Sequence, residues 1–96
     1  MKPAIPYYNL KLYVTGASPN SVRAVNNIKE ICETHFKDNY SLEIIDVYQQ
    51  PFLAKSEQII ALPLLVKVSP LPVRKFIGDL SNTEKILKGL EYDSNL

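Results

Sequence analysis

The 96-residue chain has one cysteine, Cys32, and one histidine, His35. A lone cysteine forms no internal disulfide and no C-x-x-C pair, so dithiol exchange, which needs an attacking and a resolving thiol, lacks its parts. Such usage suits a reducing compartment. One cysteine and one histidine also fall short of the four ligands of a structural zinc site. Charge of one sign is lacking as well: 11 Lys and Arg against 10 Asp and Glu leave a formal net charge of +1. That balance supplies no global field for gripping nucleic acid or an anionic membrane, and electrostatic recognition has to come from local clusters. The longest run without a polar residue, Ile59 to Val66, is eight residues, against the roughly 20 of a spanning helix. Two early prolines and Lys11 interrupt any signal-peptide core. The expectation is a cytoplasmic protein with no membrane or nucleic-acid partner and no cofactor.

What is present reads as an ordinary folded domain, with 46% apolar and 22% charged residues, spanning 1–96 with no internal repeat or linker. Tyr8, Leu10, Leu12 and Val14 alternate with Asn9, Lys11 and Tyr13, the period of a strand with one face inward. Ser18 before Pro19 suits an N-cap and a first helical position. Val22, Val25, Ile28, Ile31 and Cys32 then follow helical spacing, which predicts a helix from Pro19 to about Phe36, with His35 near its end. Turn residues in "KDNYS" precede a second strand, Leu42 to Tyr48. Strand, crossover helix and strand make a right-handed βαβ unit.

The second half gives weaker instructions. Pro51 can open a short helix through "FLAKSEQII", yet Ile59 to Val68 reads equally as an extended strand interrupted by Pro63. "SPLP" breaks the chain, "VRKFIGD" can pair back across that turn, and "SNTE" predicts a capping box with Ser81 as cap and Glu84 at N3. The resulting order, βαβαββα, is an α/β chain of the thioredoxin-like arrangement, and Pro63 in "ALPLL" stands where that fold commonly places a cis-proline. In the loop where a redox enzyme of that fold keeps its cysteines, Gly16 to Ser21 offer none. Asp46 and Asp79 look like a paired acid, but nothing accompanies them, and structural hydrogen bonding is their expected role.

Three stretches, "LKLYVTGASPNSVRAVNNIKEI", "LEIIDVYQQPFLA" and "LPLLVKVSPLPVRKFIGDLSNTEKIL", resemble the KaiB family of circadian clock proteins, in order and without an evident gap from about Leu10 to Leu90. The resemblance implies a non-enzymatic regulator that binds the ring of a KaiC-type ATPase, opposes its stimulation by KaiA and displaces a clock-output histidine kinase. It also implies a metamorphic chain, in which a resting homotetramer or dimer with a βαββααβ order coexists with a thioredoxin-like monomer that binds. A KaiB-like adaptor in stress or sensor-kinase signalling, without a rhythm, is the alternative.

By that resemblance Arg23, Lys67 and Arg74 are the expected partner-binding residues, and Tyr8 and Tyr40 are expected at an oligomer or partner interface. Pro63, Pro70, Pro72 and Gly89 are the candidate fold-switch positions. X-Pro bonds isomerise slowly, and a glycine inside a helix costs roughly 1 kcal/mol relative to alanine; a helix C-cap is the plainer reading of Gly89. The sequence departs from the family where Gln58 stands for a lysine before "IIALP", and where Leu62 and Leu64 stand for threonines.

Overall fold

The computed structural model describes residues 6–50, 52 and 62–90. Its elements are β1 (Tyr8–Val14), α1 (Pro19–His35), β2 (Tyr40–Asp46), β3 (Leu64–Ser69), β4 (Arg74–Ile77) and α2 (Thr83–Gly89). The helix expected through "FLAKSEQII" lies outside the described residues except for Phe52, which is helical and exposed. Within the sheet the order is β2-β1-β3-β4. β1 and β2 are parallel, and β3 and β4 run antiparallel to their neighbours.

β1 is central, with β2 on one side and β3 on the other, and its inward face is wholly apolar or aromatic. Leu10, Leu12 and Val14 join Ala24, Ile28, Ile31 and Cys32 of α1, Leu65 of β3, Ile86 of α2 and Leu90 at its C-cap in one core. Each buried Leu, Ile or Val side chain among them contributes about 1.5–3 kcal/mol relative to exposure. Tyr13, expected to point outward, is buried too. It lies on the second face of the sheet with Ile45, Val47 and Leu64, a face on which Asn9 is exposed and Lys11 half-buried, so that face is covered toward the end of β1 and open at its start.

α1 begins as its sequence dictates. The Ser18 hydroxyl accepts the Ser21 N–H, and Pro19 occupies the first turn, where its missing N–H costs nothing. The helix ends at His35, and the Phe36 N–H still reaches the Cys32 carbonyl at 2.8 Å. β2 starts two residues before the expected Leu42. The parallel ladder with β1 begins at Tyr8 opposite Tyr40 and ends at Val14 opposite Asp46, and the Tyr8 N–H donates to the Asn39 carbonyl at 2.9 Å. Pairing with β1, more than local propensity, sets these ends.

The last helix starts one residue later than the capping box predicts. Asn82, not Ser81, is the cap, accepting the Lys85 N–H at 3.1 Å. Ser81 instead turns its hydroxyl and its N–H, the latter at 3.1 Å, to the Asp79 carboxylate. Between them Leu80 adopts a left-handed φ of 62°, which is uncommon for a bulky residue. Its buried side chain, 4% exposed, packs in the main core and holds it there. The peptide bonds preceding Pro63, Pro70 and Pro72 are cis.

Candidate partner-binding site

The joint between β1 and α1 holds hydroxyls instead of thiols. The Thr15 N–H donates to the Ser21 hydroxyl at 3.1 Å, and the Ser18 hydroxyl donates to Ser21 at 2.8 Å. Gly16, with φ of 54°, directs its N–H to Asp46 Oδ1 at 3.0 Å, which also takes the Tyr48 N–H at 2.9 Å. Asp46 therefore ties the loop to the end of β2, a structural role. Cys32 is in the core, and burial, aided by the neighbouring Glu33 charge, pushes its thiol from 9.0 up to about 12. A thiol so held is a poor nucleophile at neutral pH.

Arg23 lies on the outer surface of α1. Its Nε stands 3.5 Å from Asp79 Oδ2 in the turn after β4, and its Nη2 meets Asn20 Oδ1. One turn further along the same helix face, Asn27 Nδ2 donates to the Asp79 carbonyl at 2.8 Å. The Ser81 hydroxyl and N–H, followed by the Arg23 charge, hold the Asp79 carboxyl below its ordinary range. Arg23 thus presents a cation at the surface and, together with Asn27, fastens the second half of the chain to α1. Asn27 was not among the sequence candidates. Its four-residue spacing from Arg23 is the signal that places both on one face.

The other two cations differ sharply. Arg74 is exposed at the start of β4, directly opposite Lys67 on β3. Lys67 is 0% exposed, and its Nζ has no hydrogen-bond partner among the described residues. In this arrangement Lys67 presents no surface to a partner; its amine is sealed in the interior, with Arg74 across the strand pair.

Tyr8 and Tyr40 are also register partners. Tyr8 is 3% exposed, its ring centroid lies 4.4 Å from that of Phe36, and its hydroxyl donates to the Leu90 carbonyl at 2.9 Å. It is a core residue that couples β1 to the end of α2. Tyr40 is half-buried and donates to Glu33 Oε1 at 2.6 Å. That bond, then burial and the Glu33 charge, push its phenol up to about 12.

Of the fold-switch candidates, Pro63 is buried beside β3, Pro72 is exposed, and Gly89 ends α2 against Phe76 of β4. Gln58 lies outside the described residues. No helix among the described residues is long and apolar enough to cross a membrane, and among them no three His, Cys, Asp or Glu side chains gather as a metal would require.

In fold, the chain is similar to the N-terminal domain of Synechococcus elongatus SasA, with a TM-score of 0.72 over 100% of this chain and 94% of that one at 22% identity. Mitochondrial thioredoxin 3 of Saccharomyces cerevisiae follows at 0.70, covering 90% of this chain and 78% of that one at 16% identity. The arrangement is thioredoxin-like, as the element order predicts. In sequence, the chain is 56% identical over 84 residues to the circadian clock oscillator protein KaiB of Prochlorococcus marinus, spanning 88% of this chain and 78% of that protein. It is 53% identical over 91 residues to that of Trichodesmium erythraeum, spanning 95% and 88%. The KaiB domain model matches residues 11–92, a span that contains all of α1, β2, β3, β4 and α2, and the chain belongs to the KaiB family of circadian clock proteins.

Proposed function

We propose that the protein is a non-enzymatic clock regulator that binds the ring of a KaiC-type ATPase and opposes its stimulation by KaiA. Its output is contact with another protein. The observation that carries this reading is the match to the KaiB domain over residues 11–92. The thiol of Cys32, buried and pushed up to about 12, adds support, because it leaves the thioredoxin-like fold without an exchangeable sulfur. Arg23 and Arg74, both exposed, are the cations we assign to the partner face, with KaiA and a clock-output histidine kinase as further partners in the cytoplasm. The likeness to the SasA N-terminal domain is one of fold alone.

Fold switching belongs to the same proposal. The arrangement described here contains a buried amine, that of Lys67, with no hydrogen-bond partner among the described residues, and a left-handed Leu80, both in the second half. Each raises the free energy of this packing, and two packings of one chain coexist when they differ by a few kcal/mol. The alternative packing is the resting homotetramer or dimer. Mixing the purified protein with the KaiC-type ATPase of its own organism and following size exclusion over hours tests the reading. A slowly forming complex is expected; none under any nucleotide condition would overturn it and favour the adaptor role, to which the replacement of a family lysine by Gln58 points.

A further inference from the structure

β4 is the last strand in the order β2-β1-β3-β4, and among the described residues no strand pairs with its outer side. Which backbone groups face that side follows from the ladder. The Gly78 N–H donates to the Pro63 carbonyl at 3.0 Å. The next pairs are Leu64 with Ile77, Leu65 with Phe76, Val66 with Lys75 and Lys67 with Arg74. Antiparallel pairs alternate between hydrogen-bonded and non-bonded. Since Gly78 is of the bonded kind, Phe76 and Arg74 turn their N–H and C=O groups toward β3, and Lys75 and Ile77 turn theirs outward. The edge offers two donors and two acceptors to an incoming strand.

Hollows flank this edge on both sides. On one face a groove of about 320 Å³ has a floor of Leu64, Val66, Val68 and Val73 between Lys11 and Lys75. Toward α2 a second hollow of about 380 Å³ has Lys85 and Asp79 in its wall and shares Lys75 with the first. The Asp79 charge is already met by Arg23. Val73 and Ile77 are 49% and 65% exposed.

We propose that the β4 edge docks an extended segment of another protein in which apolar and acidic residues alternate. A strand added to a sheet sends alternate side chains to opposite faces. The apolar ones would lie on the valine floor, and the carboxylates would lie on the side of Lys85 and Arg74. The same cations disfavour a second copy of this chain, because pairing two β4 strands sets Arg74 and Lys75 near their counterparts. The inference rests on the geometry of this edge and does not depend on the clock reading.

The probe is an octapeptide alternating valine with glutamate, titrated into the full-length 15N-labelled protein, with a control peptide carrying lysine for each glutamate. Saturable binding of the acidic peptide is expected, with hydrogen exchange of the Lys75 and Ile77 amides slowed at least tenfold. The Arg74 and Phe76 amides, already in the ladder, should change little. Lys85→Glu should weaken binding at least fivefold, as should Ile77→Pro, which removes an outward N–H and no ladder bond. Equal binding of both peptides, protection confined to the β2 edge, or a β4-paired dimer that ignores the peptide would overturn the proposal.

Discussion

Gly89, the last residue of α2, faces the ring of Phe76 on β4 so closely that a methyl group built on it would lie 2.6 Å from the ring Cζ. A helix glycine of this kind is commonly read as a weak point that alanine would repair, and the sequence alone gives Gly89→Ala the sign of a stabiliser. Here the missing side chain leaves room for an aromatic ring that packs on the main core.

Gly89→Ala is therefore expected to destabilise this arrangement. Overpacking costs about 1–3 kcal/mol, against a helix-propensity gain of at most about 1 kcal/mol. Pairing it with Phe76→Leu should recover the propensity gain, so that the two changes are strongly non-additive. Urea unfolding of the four proteins in the cycle measures this. A Gly89→Ala protein more stable than the parent would refute the steric account.

Lys67→Met should stabilise the same arrangement by about 2 kcal/mol, because it exchanges a buried amine with no hydrogen-bond partner among the described residues for an apolar chain of similar length. The urea midpoint should rise with an unchanged slope. If fold switching operates as proposed, this variant should also raise the monomer fraction and quicken complex formation with the ATPase ring. A lowered midpoint would mean that the Lys67 amine is hydrogen-bonded in solution.

Arg23 and Asn27 touch the same turn but should respond differently. Asn27→Ala removes a partly buried hydrogen bond to the Asp79 carbonyl and should cost about 1 kcal/mol. Arg23→Ala breaks an exposed ion pair and should leave stability nearly unchanged while weakening capture by the ATPase ring. Asp79→Asn breaks the same pair and serves as the control. If it weakens capture as much as Arg23→Ala does, Arg23 acts by positioning the turn and not by contact.

Alkaline pH should loosen the fold through two groups. The Cys32 thiol rises from 9.0 to about 12 and the Tyr40 phenol from 10.0 to about 12. Above pH 9 the unfolded chain releases these protons and the folded chain keeps them, so stability falls as pH rises between about 9 and 12. Cys32→Ala together with Tyr40→Phe should flatten that decline, and Cys32 should resist alkylation at pH 8 until the chain unfolds. A decline undiminished in the double variant would assign it to other groups.

The first half was legible because its instructions are local. Alternation in β1, the Ser18–Pro19 start and the apolar spacing of α1 each follow from one or two turns of chain, and the structure meets all three. Where β2 begins, and whether Tyr13 faces water, depended on partners distant in sequence. In the second half Leu64 to Ser69 reads as a strand only once β1 stands beside it, and the Ser81 cap failed because its hydroxyl and N–H are both turned to Asp79.

The candidate site divides in the same way. The family resemblance marked Arg23, Lys67 and Arg74 together as cations for a partner, and nothing in the sequence distinguished one from another. Only the tertiary structure separated them, setting Arg23 on Asp79, leaving Arg74 at an exposed edge and sealing Lys67 inside. The physical reason is strand parity: Lys67 shares its face of β3 with Leu65, and that face is covered by the core helices, whatever charge the residue carries.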